Sequence, residues 1–389
     1  MNYDFDRIID RSVTNDLKWR PEGLEGFLPI QVSKNMIPMW IADTDFACPP
    51  CIVEALQKRA SGEIYGYCAP RPNYFKALHW WYRERFGLEL HREWLSILPT
   101  VVSAINMGIR AFSEPGDRVI IQQPVYDPFA GLVVKTGREL VNNALICENG
   151  QYRMDYSLLE RQCADPRAKV LVLCSPHNPV GRVWSREELA RLGDICKRSG
   201  VFIISDEIHS DIVFEGHTHV PFPLASDAPH MLCTAPSKTF NVAGLRISNI
   251  FNADPERKKK YDETCAAYSL SGTSTFGLEA VAAAYSPQGA DWLSALLAYM
   301  DENAALVEDW AKEHPVSFVR PQGGFLCWLD LSPSGLKDED IQKKILMDQE
   351  VICVPGPWFG PGGEGRLRLN IGCTRATLRD ALDRIAAAL

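Results

Sequence analysis

A chain of 389 residues with 46 % hydrophobic side chains can bury an extensive core, and at that length two unequal domains are expected rather than one. Its formal net charge of −8 is modest and both signs are scattered, which argues against a nucleic-acid backbone or an anionic membrane as partner. No apolar run approaches the ~20 residues that span a bilayer, and the charged opening MNYDFDRIIDRS lacks the apolar centre of a secretion signal, so a cytosolic protein is expected.

Early in the chain, FACPPCIVEAL places Cys48 and Cys51 in a C-x-x-C at the opening of a helix. No second cysteine pair follows to complete a metal site, and the twelve cysteines, many inside apolar runs such as LVLCSP, read as reduced core residues. VVSAINMGIRAFSE predicts a helix after ILPT. DRVIIQQP, AKVLVLCSP, VFIISDEI and HMLCTAPSK predict buried strands. Between two of them, SREELARLGDICKRSG predicts a helix with Ser185 as N-cap, Glu188 closing a capping box and Gly200 as the stop. His217 and His219 in GHTHVPF read as a loop, since two histidines without a third ligand make no metal centre. After Tyr285 the pattern changes to a long helix, GADWLSALLAYMDENAALVEDWAKEH. A strand, a helix and a strand follow, and the amphipathic RATLRDALDRIAAAL closes the chain. GPWFGPGGEGR lacks the phosphate-loop pattern and reads as a flexible edge of a site.

Short apolar strands joined through helices predict a mostly parallel sheet covered on both faces, the large domain, spanning residues 46–285. Residues 1–45 and 286–389 are expected to form a smaller α+β domain. In such sheets ligands lie at the carboxyl ends of the strands. The polar residues at those ends are Pro124 to Tyr126, Ser175 to Asn178, Asp206 to His209, and Ser237 with Lys238. Together with two arginines they suit an organic cofactor that carries a phosphate and a ring nitrogen.

With PGD, SPHNPVG, SDEI and SKTFNVAGLR in this order, the chain resembles the fold-type I pyridoxal-phosphate enzymes of the aminotransferase class I/II family along nearly its whole length. DRSVTNDLKW, PMWIADTDF, YGY and SDEIHSD resemble the subgroup of cystathionine β-lyases and other carbon–sulfur lyases. The resemblance implies an aspartate aminotransferase-like fold with a seven-stranded sheet, pyridoxal 5′-phosphate as cofactor, and a homodimer with shared sites.

It also implies roles. Lys238 would hold the cofactor, since a lysine in a crowded, desolvated site has the lowered pKa that this chemistry needs. Asp206 would bond the ring nitrogen, and Tyr126 and Ile208 would sandwich the ring. Asn178 would reach the ring oxygen, and His209 would lie at the cofactor either as a catalytic group or as a filler of a polar niche. His209 stands where many aminotransferases have a tyrosine. Arg246, Ser237 and the amides of Val101 and Val102 would hold the phosphate, backbone donors carrying most of that load where relatives have glycine or a hydroxyl. Arg368, preferred over Arg366 by its R-x-N pattern, would grip the substrate carboxylate with Asn178 and the amide of Ala42. Thr44 replaces a methionine usual in the subgroup and is expected to alter the pocket. Tyr67, or failing it Tyr65, would reach the neighbouring subunit's phosphate. The expected reaction is β-elimination from an S-substituted L-cysteine. An aminotransferase and a cofactor-binding interaction protein are the alternatives.

Overall fold

The computed structural model describes residues 3–11, 13–20, 33, 35–270 and 272–389. Ser12 of the N-terminal motif and residues 21–32 of the segment assigned to the smaller domain lie outside the described residues.

Among the described residues the strands are, in chain order, β1 (Ile37–Pro38), β2 (Leu95–Leu98), β3 (Arg118–Ile121), β4 (Glu139–Asn142), β5 (Ile146–Glu148), β6 (Gln151–Arg153), β7 (Ala168–Cys174), β8 (Phe202–Asp206), β9 (His230–Thr234), β10 (Ser248–Phe251), β11 (Ser317–Phe318), β12 (Leu326–Asp330), β13 (Val351–Ile352), β14 (Val354–Pro355) and β15 (Arg366–Asn370). Seven of them form one sheet in the order β2-β10-β9-β8-β7-β3-β4. From β4 to β9 neighbouring strands are parallel, and β10 runs antiparallel to both its neighbours. The sheet is thus seven-stranded and mostly parallel, as expected.

Its strands are apolar throughout because both faces are covered. Along β7, Val170, Val172 and Cys174 enter one core, while Leu171 and Leu173 enter the other. Successive side chains on a strand point to opposite faces, so a continuous apolar run is what a doubly covered strand requires. The helix Val101–Phe112 covers the first of these faces. It lies so close that a Cβ on Gly108 would meet Ile204 Cδ1 at 2.8 Å. The helix Arg186–Ser199 begins at the expected capping box of Ser185 and Glu188 and stops at Gly200, whose φ of +68° suits glycine.

A second sheet, in the order β11-β12-β15-β14, is antiparallel. The helix Pro287–Glu313 leads into it, burying Trp292, Leu296, Met300 and Val307 along one stripe. The N-terminal segment joins this part of the molecule: Phe5 stands 5.8 Å from Trp292 and 5.5 Å from Tyr299, ring centre to ring centre. β1 pairs in parallel with β13. These contacts support the division we propose, residues 46–285 against 1–45 with 286–389.

All twelve cysteines are free thiols, eight of them buried. Cys147 is exposed, so the core reading fails there, while the half-buried Cys48, Cys51 and Cys68 pack against the core. Among the described residues, no helix is long and apolar enough to cross a membrane.

Candidate active site

Parallel strands deliver their terminal residues to one edge of the sheet. Asp206 is the last residue of β8, Asn178 lies four residues past β7, and Lys238 four past β9. There a cavity of about 340 Å³ opens, with the loop around Ala42 and the segment Val354 to Phe359 as its other walls. Ala42, Val101, Val102, Tyr126, Asn178, Asp206, Ile208, His209, Ser237, Lys238, Arg246 and Arg368 all line it. Tyr67 does not: its side chain is fully exposed on the surface. Tyr65, the fallback, donates its hydroxyl to Ala60 O at 2.6 Å and is thereby engaged within its own chain.

Lys238 Nζ donates to the carbonyl of Ala42 at 2.6 Å. Burial pulls its pKa down to about 8, helped by the charge of Arg368 and opposed by Asp43 and Asp206. Ala42 was expected to offer an amide toward a carboxylate; here its carbonyl receives the lysine. Burial pushes Asp206 up to about 7, against the pull of the Ile208 amide and Lys238. One carboxylate oxygen accepts from Ile208 N at 3.1 Å; the other has no hydrogen bond among the described residues. A buried carboxylate so placed calls for a cationic or N–H partner from the cavity.

Arg368 donates to Asn178 Oδ1 at 3.2 Å and to the carbonyl of Trp40 at 2.6 Å, and its guanidinium lies 4.9 Å from the ring centre of Phe359. Burial lowers it to about 10. Its Nε is buried without a partner among the described residues. Arg366, two residues away, pairs instead with Asp330 at 3.1 Å and stays outside the cavity. Burial, with the charges of Lys238 and Arg368, holds His209 down at about 3, so its imidazole is neutral, and its Nδ1 is buried without a partner.

Thr100 caps the helix Val101–Phe112, accepting from Ser103 N at 3.0 Å. That cap takes the third amide of the helix and leaves those of Val101 and Val102 to an anion. A hydroxyl residue does therefore stand in this turn, and Thr100 itself lines the cavity. Arg246 adds a guanidinium with no ion pair among the described residues, on a backbone turned to φ +51°. A free arginine, two open amides and the Ser237 hydroxyl suit a phosphate; the half-satisfied Asp206 suits a protonated ring nitrogen. Pyridoxal 5′-phosphate fits this donor set.

The loop that carries Ala42 is clamped from three parts of the chain. Asn370 Nδ2 donates to Ile41 O at 2.6 Å and to Asp43 O at 2.7 Å. Asn241 Nδ2 donates to Thr44 O at 2.8 Å. Arg11 reaches Asp45 at 2.6 Å, and the buried Lys18 binds both oxygens of Asp45 at 3.1 Å. Thr44, expected to shape the pocket, is buried beside Asn241 outside it.

Sequence reasoning missed Trp40, Asp127, Trp358 and Phe359, which also line the cavity. The aromatic pair inside the glycine-rich GPWFGPGG run was the available signal for the last two. His219 lies in a loop, as read from the sequence, but its contact was not foreseen: its Nε2 lies 2.7 Å from Glu207 Oε2 with both side chains buried. Among the described residues no group of three His, Cys, Asp or Glu side chains is placed to hold a metal ion.

The aminotransferase class I and II family model matches residues 34–385. Cystathionine beta-lyase PatB of Bacillus subtilis is 42 % identical over 99 % of both chains. Protein MalY of Escherichia coli is 33 % identical over 97 % of this chain and 96 % of its own. The crystal structure of cystalysin from Treponema denticola, which contains pyridoxal 5′-phosphate, superposes with a TM-score of 0.95 at 31 % identity, covering 100 % of this chain and 99 % of that one. The PLP-bound C-S lyase from Staphylococcus hominis gives a TM-score of 0.92 at 31 % identity, covering 100 % and 98 %.

Proposed function

The chain belongs to the aminotransferase class I and II family, and from that premise we propose that it eliminates the thiol from S-substituted L-cysteines of the cystathionine type, leaving pyruvate and ammonia. The enzyme is a pyridoxal-phosphate-dependent carbon–sulfur lyase. The observation that carries the reading is the convergence of Lys238, Asp206, Arg368 with Asn178, and the free Arg246 on one cavity.

Bound there, the cofactor supplies an electron sink for the charge left at the substrate Cα. The chain does the rest. Arg368 and Asn178 hold the α-carboxylate and fix which Cα bond stands ready to break. Lys238 Nζ, neutral above about pH 8, takes the Cα proton, and the Cβ–S bond then releases sulfur as thiolate or thiol. Asp206 holds a proton at the ring nitrogen, where the developing charge is withdrawn. Neutral His209 offers one ring nitrogen toward the ring oxygen without adding charge. Tyr126 and Ile208 enclose the ring and exclude water.

The test is to give L-cystathionine to the reconstituted protein without any keto acid and to assay pyruvate and free thiol. Release over many turnovers is expected. A single turnover that resumes only with a keto acid would refute the lyase and establish an aminotransferase. We further propose a cytoplasmic homodimer in which Tyr67 of one subunit reaches the phosphate held by the other, a reading supported by its full exposure.

A further inference from the structure

Among the described residues, three cations and two carboxylates line the cavity. Under the proposed function, on which this inference rests, four of these five charges have work: Lys238, Arg246, Arg368 and Asp206. The fifth is Asp127. An aspartate at a helix N-cap ordinarily accepts an amide of the first turn. Asp127 precedes the helix Pro128–Lys135, yet its backbone is itself helical, φ −47° and ψ −44°, and its carboxylate makes no cap bond. It has no hydrogen bond and no ion pair among the described residues, and feels the charge of Lys135 only from longer range. The same lining includes Trp358, half-buried and without a ring or cation partner among the described residues. Val354, Ile41 and Ile247 add apolar wall.

The cavity thus has no cation to spare for a second carboxylate on the substrate. It does have a carboxylate without a hydrogen-bonded partner and an indole without a cation partner among the described residues, the two groups that receive an ammonium. We propose that Asp127 is a specificity-determining residue that selects substrates whose departing thiol carries an ammonium group, and disfavours those whose thiol carries only a carboxylate. The homocysteine arm of L-cystathionine bears both charges, and its ammonium is the one assigned to Asp127.

Three cysteine conjugates of similar length separate the charges: S-(2-aminoethyl)-L-cysteine, S-ethyl-L-cysteine and S-carboxymethyl-L-cysteine. With the holoenzyme, kcat/KM should fall in that order, by about five-fold per step for a partly exposed charge at close range. Asp127→Asn should collapse the aminoethyl-to-ethyl ratio toward one, and raised salt should erode the ratio in the parent enzyme. A carboxymethyl substrate as good as the ethyl one, or a ratio that Asp127→Asn leaves unchanged, would overturn the proposal. If neither these three nor L-cystathionine is eliminated, the lyase reading falls but the charge preference is still read. L-lysine, L-norleucine and L-2-aminoadipate have a methylene in place of sulfur, and their binding to the holoprotein, followed spectroscopically, should show the same order and the same response to Asp127→Asn; equal affinities would sink it.

Discussion

Asp206 shows what the site costs the apo-protein. Its folded pKa of about 7 against an ordinary 3.8 means that the native state holds a proton which the unfolded chain gives up. The stability this confers is full below about pH 4 and is lost as pH rises through 7. A rise of about three pH units corresponds to as much as ~4 kcal/mol. Asp206→Asn cannot ionise, so its apo-protein should be more stable than the parent at pH 8.5, with the gain shrinking toward pH 5.5. Urea unfolding at the two pH values reads this directly, and a pH-independent difference would show that burial is not the cause. The same variant should lose most β-elimination, since Asn cannot hold a proton at the ring nitrogen.

Among the elements, the loop 41–45 has no regular secondary structure and is held by bonds from distant parts of the chain. Lys18 is 1 % exposed and ends on Asp45. Removing one partner of a buried ion pair strands the other charge, at a cost of about 3–5 kcal/mol. Asp45→Ala should therefore destabilise the fold by that order in chemical denaturation. It should also lower kcat/KM, because Ala42 O, the acceptor of Lys238, rides on this loop. The strands and their terminal Asp206, Asn178 and Lys238 were legible in the sequence, since an apolar run that breaks off in a polar residue sets that residue at the carboxyl edge of a buried sheet. Ser185, Glu188 and Gly200 were legible because capping is local hydrogen-bond chemistry, complete within one stretch of chain. The clamp was not. Arg11, Lys18, Asp43 and Asp45 stood in the sequence only as parts of the motifs DRSVTNDLKW and PMWIADTDF, and only a pairing across 27 residues of chain shows Lys18 and Asp45 to be interior. Likewise Thr100 was passed over, although the hydroxyl before VVS is what the cap requires, and Glu207 hid its partner His219 twelve residues on.

At the scale of the whole molecule, Tyr67 is fully exposed and makes no hydrogen bond or ring contact among the described residues. If one subunit lends it to the other, Lys238→Ala and Tyr67→Ala chains refolded together should complement: each hybrid dimer keeps one site with both an intact lysine and an intact tyrosine. Random pairing would restore about a quarter of parental activity, where either variant alone is impaired. Activity equal to the mean of the two parents would place Tyr67 in its own subunit's chemistry or in none. The clamp on the loop 41–45 has a bearing on synthesis as well. Its bonds come from residues near both ends of the chain, Arg11 and Asn370, the latter separated from Ile41 by 329 positions. Loop closure over such a span comes late, after local structure has formed. A growing chain that has exposed the lysine and all seven strands of the main sheet still lacks β15, so the wall behind the catalytic amine is fully tied only after Asn370 has been made, more than a hundred residues after the sheet itself is complete.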